Sequence, residues 1–149
     1  MSVLIRTATS SDAPSLCAWN AAMARETEHK TLDVERLRAG VDGVFANSAR
    51  GFYLVAERHG EAVGSAMVTY EWSDWRGGDF WWIQRVYVVA AARRHGTFRA
   101  LYADIDRRAR AAGAIGLRLY VDVDNAPAQA TYAALGMQRC HYLLFESGF

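Results

Sequence analysis

Apolar and polar positions along the chain mark out a succession of short elements. Residues 3–7 (VLIRT) predict a short strand. Ser11-Asp12-Ala13-Pro14 then supplies a cap and an early-turn proline, so a helix is expected from there to about Glu26. Asp33 predicts the cap of a second helix. Its Val34, Leu37, Val41, Val44 and Phe45 recur at helical spacing, while Gly40 and Gly43 weaken it. Gly51 to Glu57 is an almost unbroken apolar run, the pattern of a strand covered on both faces. A turn at 58–61 returns the chain along Ala62 to Tyr70, and residues 72–78 read as a loop. Asp79 to Val89 is rich in aromatic and β-branched residues and predicts a long strand. From Thr97 to Ala112 the stripe Phe98, Leu101, Tyr102, Ile105, Ala109 predicts a helix. Arg99, Arg107, Arg108 and Arg110 point away, and Gly113 and Gly116 end it. Leu117 to Val123 alternates as a strand. Asn125-Ala126-Pro127 opens a short helix closed by Gly136, and Cys140 to Glu146 (CHYLLFE) is expected as the last strand.

The expected order is β-α-α-β-β-β-α-β-α-β, in which hairpins alternate with strand–helix–strand units. That implies an α/β (α+β) fold, a mixed sheet flanked by helices, in one domain spanning 1–149. A chain of 149 residues, 52% apolar with two prolines, can bury enough surface to fold unaided. Formal charge is +1, from 17 basic and 16 acidic side chains, which argues against broad nucleic-acid binding. Cys17 and Cys140 lack metal-ligand spacing and read as buried thiols in a reducing compartment. The opening residues carry charges at Arg6, Asp12, Arg25 and Glu26, and no apolar run is long enough to span a bilayer. A cytoplasmic protein without membrane or metal is the expectation.

Candidate chemistry concentrates in Val86 to Ala100 (VYVVAAARRHGTFRA). A strand enters a loop bearing Arg93, Arg94, His95 and Gly96, and a helix starts at once. The first amides of a helix have no intrahelical acceptor and lie at its positive end, a setting that suits a pyrophosphate. Gly96 would let backbone approach the ligand closely. By itself this segment reads more readily as a capped helix with no ligand.

Arg93-Arg94-His95-Gly96-Thr97-Phe98, preceded by Val86-Tyr87-Val88, resembles the R-x-x-G-x-G/A loop of the GNAT family of N-acetyltransferases and the strand before it. A second motif follows in order: Asn125, Ala128, Tyr132, Leu135, Gly136 and Met137 resemble that family's N-x-x-A-x-x-x-Y-x-x-x-G-F/M signature. Together they cover residues 86–137, and the element order is similar over the whole chain. Phe98 departs from the pattern, standing where Gly or Ala is usual; its amide stays available if the ring turns into the core beside Leu101 and Tyr102.

The resemblance implies the GNAT fold: a largely antiparallel sheet with about four helices, whose fourth strand bulges and splays from the fifth to leave a slot for the pantetheine arm of acetyl-CoA. It implies that the Val86 N–H holds the thioester carbonyl and that the Tyr87–Val88 backbone pairs with pantetheine. Pyrophosphate contacts would come from Arg93, Arg94, His95, Gly96, Thr97, Phe98 and Arg99, and Asn125 would touch the cofactor arm. Tyr132 is the expected general acid, since a phenol titrating near 10 can protonate a leaving thiolate of about 8.5; periodicity alone would make it a core residue. The family position that sometimes holds a glutamate base is Trp82 here, and Gln84 cannot take a proton. Glu26, Glu28 and Glu71 therefore remain as candidate bases acting through water, or as surface ion pairs.

Glu71, Trp72, Asp74, Trp75, Trp81 and Trp82 lie close in sequence, and aromatic faces beside carboxylates suit a cation. Glu26, Glu28, Glu71, Trp72, Trp75, Trp82 and Gln84 are accordingly the expected acceptor contacts, for a small cationic amine or an amine on a polar metabolite. The alternatives are a non-catalytic acetyl-CoA-binding module, or an acetyltransferase of a protein or peptide amine. A homodimer is compatible with the family.

Overall fold

A computed structural model describes residues 2–149. The strands are β1 (Leu4–Thr7), β2 (Gly51–Arg58), β3 (Glu61–Ser73), β4 (Gly78–Val88) and β5 (Gly116–Leu119). The helices are α1 (Ala13–Glu28), α2 (Val34–Ala46), α3 (Thr97–Ala111) and α4 (Ala126–Ala134). The sheet has the order β1-β2-β3-β4-β5, antiparallel throughout except for the parallel β4–β5 pair. The chain forms two compact units, a larger one ending at Leu119 and a smaller one, Tyr120–Phe149.

In the larger unit both sheet faces are covered, which explains the unbroken apolar run of β2. Leu54, Ala56, Ala66, Val68, Trp81 and Ile83 pack with Leu101, Ile105 and Ala109 of α3. On the opposite face Tyr53 and Val55 pack with Leu16, Val41 and Val44 of α1 and α2. Each large apolar side chain so buried contributes about 1.5–3 kcal/mol relative to exposure. Local chemistry starts the helices where the sequence predicts. Pro14 lies in the first turn of α1, and the Asp33 carboxylate accepts from the Arg36 amide at 2.9 Å.

The feature that shapes the site is a bulge in β4. Met67 faces Arg85 whereas the next residue, Val68, faces Ile83, so Gln84 is the extra residue. Before the bulge Trp81 and Ile83 point to α3; after it Val86 packs against that same cluster, and Arg85 stands beside Met67 toward α1 and α2. The register with β5 covers Phe80 to Ile83, and β4 continues to Val88. The fourth strand thus bulges, as the resemblance implied, and runs on beyond the register that it shares with the fifth.

Some expectations need correction. The loop expected at 72–78 shrinks to a tight turn. β3 runs to Ser73 and β4 starts at Gly78, because Gly77, at φ 64°, donates back to the Ser73 carbonyl at 2.8 Å. The strand expected at 117–123 ends at Leu119. The strand expected at 140–146 is not assigned among the described residues: these positions carry strand-forming side chains, but a strand is defined by its ladder and not by its side chains alone. Tyr142, Leu143, Leu144 and Phe145 are exposed, and so is Cys140, which was expected to be buried; Cys17 is half-buried. Phe98 is half-buried. Within the smaller unit the Asn125 side chain caps α4, accepting from the Ala128 amide at 3.2 Å, and Gly136 closes the helix at φ 93°.

Candidate active site

Between β4 and α3 the chain makes a 3-10 turn at Ala90–Ala92 and then two left-handed residues, Arg94 (φ 66°) and Gly96 (φ 81°). A Cβ at Gly96 would meet nothing within 4 Å, so glycine is required there by backbone conformation rather than by space. The first helical bond runs from the Ala100 amide to the Gly96 carbonyl at 3.0 Å; the amides ahead of it lack an intrahelical acceptor. The Thr97 hydroxyl, on a residue only 2% exposed, finds no partner among the described residues. Arg94, His95 and Arg99 are exposed around this helix start. Orphaned donors, a positive helix end and nearby guanidinium groups fit the diphosphate of a coenzyme A thioester.

Arg93 has a different setting. Its Nε donates to the Val88 carbonyl at 2.8 Å, and its Nη2 meets Glu26 at 3.1 Å with the guanidinium over the Tyr87 ring. It ties the end of β4 to the last turns of α1. Both partners of that ion pair are nearly half exposed, so the Coulombic gain is small and the tie is chiefly geometric. Burial, followed by the nearby Glu26, pushes the Tyr87 phenol up.

On the sheet face that carries Met67 and Arg85, Trp82 Nε1 donates to Glu71 at 3.1 Å and Gln84 Nε2 donates to Thr69 Oγ1 at 2.7 Å. Arg118 donates to the same Glu71 oxygen at 2.6 Å while stacked 3.6 Å from the Phe80 ring centroid. Glu71, Trp82 and Gln84 are therefore together, but the Glu71 charge is matched by Arg118. The rest of the expected aromatic cluster is not assembled: Trp81 is in the core, and Trp72 and Trp75 are 66% and 88% exposed. Glu28 is exposed, with only a 3.9 Å contact to Lys30. The three candidate bases sit in three separate settings.

Sequence reasoning missed a cavity of about 330 Å³ between α1, α2 and the bulged part of the sheet. Asn20, Arg36, Tyr53, Met67 and Arg85 line it, with the α2 cap Asp33. The one available signal was Arg85 itself, a cation interrupting the apolar strand FWWIQRVYVV. Burial raises the Tyr53 phenol above its ordinary range.

In the smaller unit Tyr132 is half-buried on α4, and burial pushes its phenol up as well. Among the described residues no three His, Cys, Asp or Glu side chains form a group that could hold a metal, and no helix is long and apolar enough to cross a membrane.

A bulged fourth strand leading into a glycine-capped helix start, in a mixed sheet with one parallel pair, is the arrangement that the acetyltransferase resemblance implied. Comparison with protein families places residues 14–137 in the acetyltransferase (GNAT) family, and the chain belongs to that family, which carries out acetyl-CoA-dependent N-acetylation. It is 30% identical over 120 residues to a mycothiol acetyltransferase of Corynebacterium aurimucosum; the match takes in 78% of this chain and 40% of that relative's length. The crystal structure of a possible acetyltransferase from Clostridium difficile 630 is 38% identical, with a TM-score of 0.93 over 99% of this chain and 97% of that one. An aminoglycoside N-acetyltransferase solved with CoA shares the fold at 14% identity, with a TM-score of 0.80 over 99% of this chain and 95% of that one.

Proposed function

We propose that this chain transfers an acetyl group from acetyl-CoA directly to the amine of a small polar metabolite, in a ternary complex. The observation that carries the reading is the helix start at Gly96–Thr97, which follows the bulged stretch of β4 that runs beyond its register with β5. In the proposed reaction the neutral amine attacks the thioester carbonyl carbon, the C–S bond breaks, and the nitrogen loses a proton as the sulfur gains one. The Val86 amide is proposed to hold the developing oxyanion, a contact worth about 3 kcal/mol in other enzymes. The Tyr87–Val88 backbone and Asn125 would hold the pantetheine arm. Arg94 to Arg99 would hold the diphosphate, with Arg93 keeping the end of β4 in place as well as lying beside it. Tyr132 would protonate the thiolate. Glu26, Glu28 or Glu71 would take the amine proton through water.

The acceptor is proposed to enter the cavity beside the bulge. At about 330 Å³ it is at the small end of ligand sites, which favours a metabolite over a protein substrate. The geometry favours a polar acceptor over a simple cation, because Trp72 and Trp75 stand in solvent and Glu71 already holds Arg118. A homodimer, for which the exposed apolar run at 142–145 would supply a surface, and a cytoplasmic setting complete the proposal. The test is acetyl-CoA consumption across amino acids, peptides, polyamines and aminoglycosides. Turnover with a small amine is expected. Tight cofactor binding with no turnover on any amine would make the chain a binding module instead.

A further inference from the structure

The cavity between α1, α2 and β4 contains a charge arrangement that the folded chain does not use. Some arginines of the larger unit hold carboxylates, among them Arg6 with Asp12 and Glu57, Arg93 with Glu26 and Arg118 with Glu71. Others, such as Arg94 and Arg99, stand exposed without an ion pair among the described residues; what sets Arg36 and Arg85 apart is that both, though exposed, border one cavity. Arg36 and Arg85 both line the cavity, and among the described residues neither side chain forms an ion pair. Asp33 is the acidic residue of the lining, and it caps the Arg36 amide. The lining therefore carries one net positive charge, two arginines against one aspartate. Leu37, Val41 and Met67 supply apolar wall, while Tyr53 and Asn20 offer a hydroxyl and an amide.

We infer that this cavity receives a carboxylate of the acceptor, so that the substrate is a small amino-acid-like amine whose acid group is held by Arg85, with Arg36 assisting. A guanidinium presents paired donors that match a carboxylate in geometry and charge. One net positive charge suits a monoanion better than a phosphate dianion. The apolar wall suits an aliphatic or thioether side chain. Arg85 directly follows the bulge residue Gln84 and precedes Val86, so an acid group at Arg85 places the rest of the acceptor along the bulged strand. The inference rests on the acetyl-transfer reading only for the direction of the amine; binding of the acid group can be measured without turnover.

The experiment uses pairs that differ by one charge: N-acetyl-leucine and N-acetyl-methionine against their carboxamides by calorimetry, and the free amino acids against their amides as acceptors. Wild type should favour the carboxylate member at least about tenfold. Arg85→Gln should abolish that preference, raising KM for the acid about tenfold while kcat and the amide's KM stay nearly unchanged. Arg85→Lys should retain part of the preference and guards against misfolding, checked by circular dichroism. Equal binding of acid and amide by wild type, or a preference that survives in Arg85→Gln, would overturn the inference. Turnover without acid preference would remove this site and leave acetyl transfer standing; acid-selective binding with no turnover would do the reverse. A stronger response to O-phosphoethanolamine than to any carboxylate would also count against it.

Discussion

Gly96 and Tyr132 show what a single position decides. A side chain at Gly96 would be forced to φ 81°, where an L residue costs about 1–2 kcal/mol, although space around it is open. Gly96→Val should therefore distort the loop that presents the amides, weakening acetyl-CoA binding about tenfold in calorimetry with only a small fall in Tm. An unchanged affinity would remove the loop from the cofactor site. Tyr132→Phe should lower kcat about 10²-fold with CoA affinity nearly constant; a large affinity loss would mean that the ring acts by packing. Because burial raises the Tyr132 phenol above its usual value near 10, it stays protonated through neutral and mildly alkaline pH. The wild-type kcat should rise with pH as the amine loses its proton and show no fall from this phenol below about pH 10. Both residues were legible as motif members. Arg85 was visible only as an odd cation in an apolar strand, because its meaning depends on a cavity wall contributed by two distant helices.

At the scale of elements, caps and strand periods placed α1, α2, α3 and α4 and the β2–β3 hairpin, since each depends on neighbours within a few residues. What holds β1 to the sheet was not legible. Arg6 links Asp12, at the start of α1, to Glu57 on β2, both at 2.8 Å. That arrangement lowers the Asp12 carboxyl below its ordinary value, with the Arg6 hydrogen bond as the largest cause. A lowered folded value means that the unfolded chain binds the proton more readily. The stabilisation is therefore complete above the ordinary carboxylate range and is lost as pH falls through the folded value. Arg6 is a third exposed, so after screening Asp12→Asn should cost about 1 kcal/mol at neutral pH, roughly 3 °C in Tm. Melting curves should show the gap between wild type and variant closing from about pH 4 down to pH 2. A gap that persists in acid would mean that the side chain contributes by something other than its charge. The β4 bulge also escaped sequence reading: Gln84 is an ordinary strand residue until Met67 and Val68 define the register opposite it.

For the whole molecule, the apolar run Tyr142 to Phe145 poses the main question. Its pattern predicts a strand, yet among the described residues it is assigned to no strand and its side chains are exposed. If a second copy covers it, light scattering should give twice the mass of one chain, and the double variant Leu144→Asp, Phe145→Asp should shift the protein to single chains. A wild type that is monomeric at micromolar concentration would dispose of the homodimer. The sequence by itself determined the family motifs, the helix starts and the alternation of buried and exposed positions, because these are fixed by chemistry within one or two turns of chain. Only the tertiary structure decided which charges are spent and which are left over. Arg93 meets Glu26 from 67 positions away and Arg118 meets Glu71 from 47, whereas Arg36 and Arg85 meet no acid among the described residues. Charge partners are chosen by proximity in space, and that proximity is set by packing rather than by spacing along the chain.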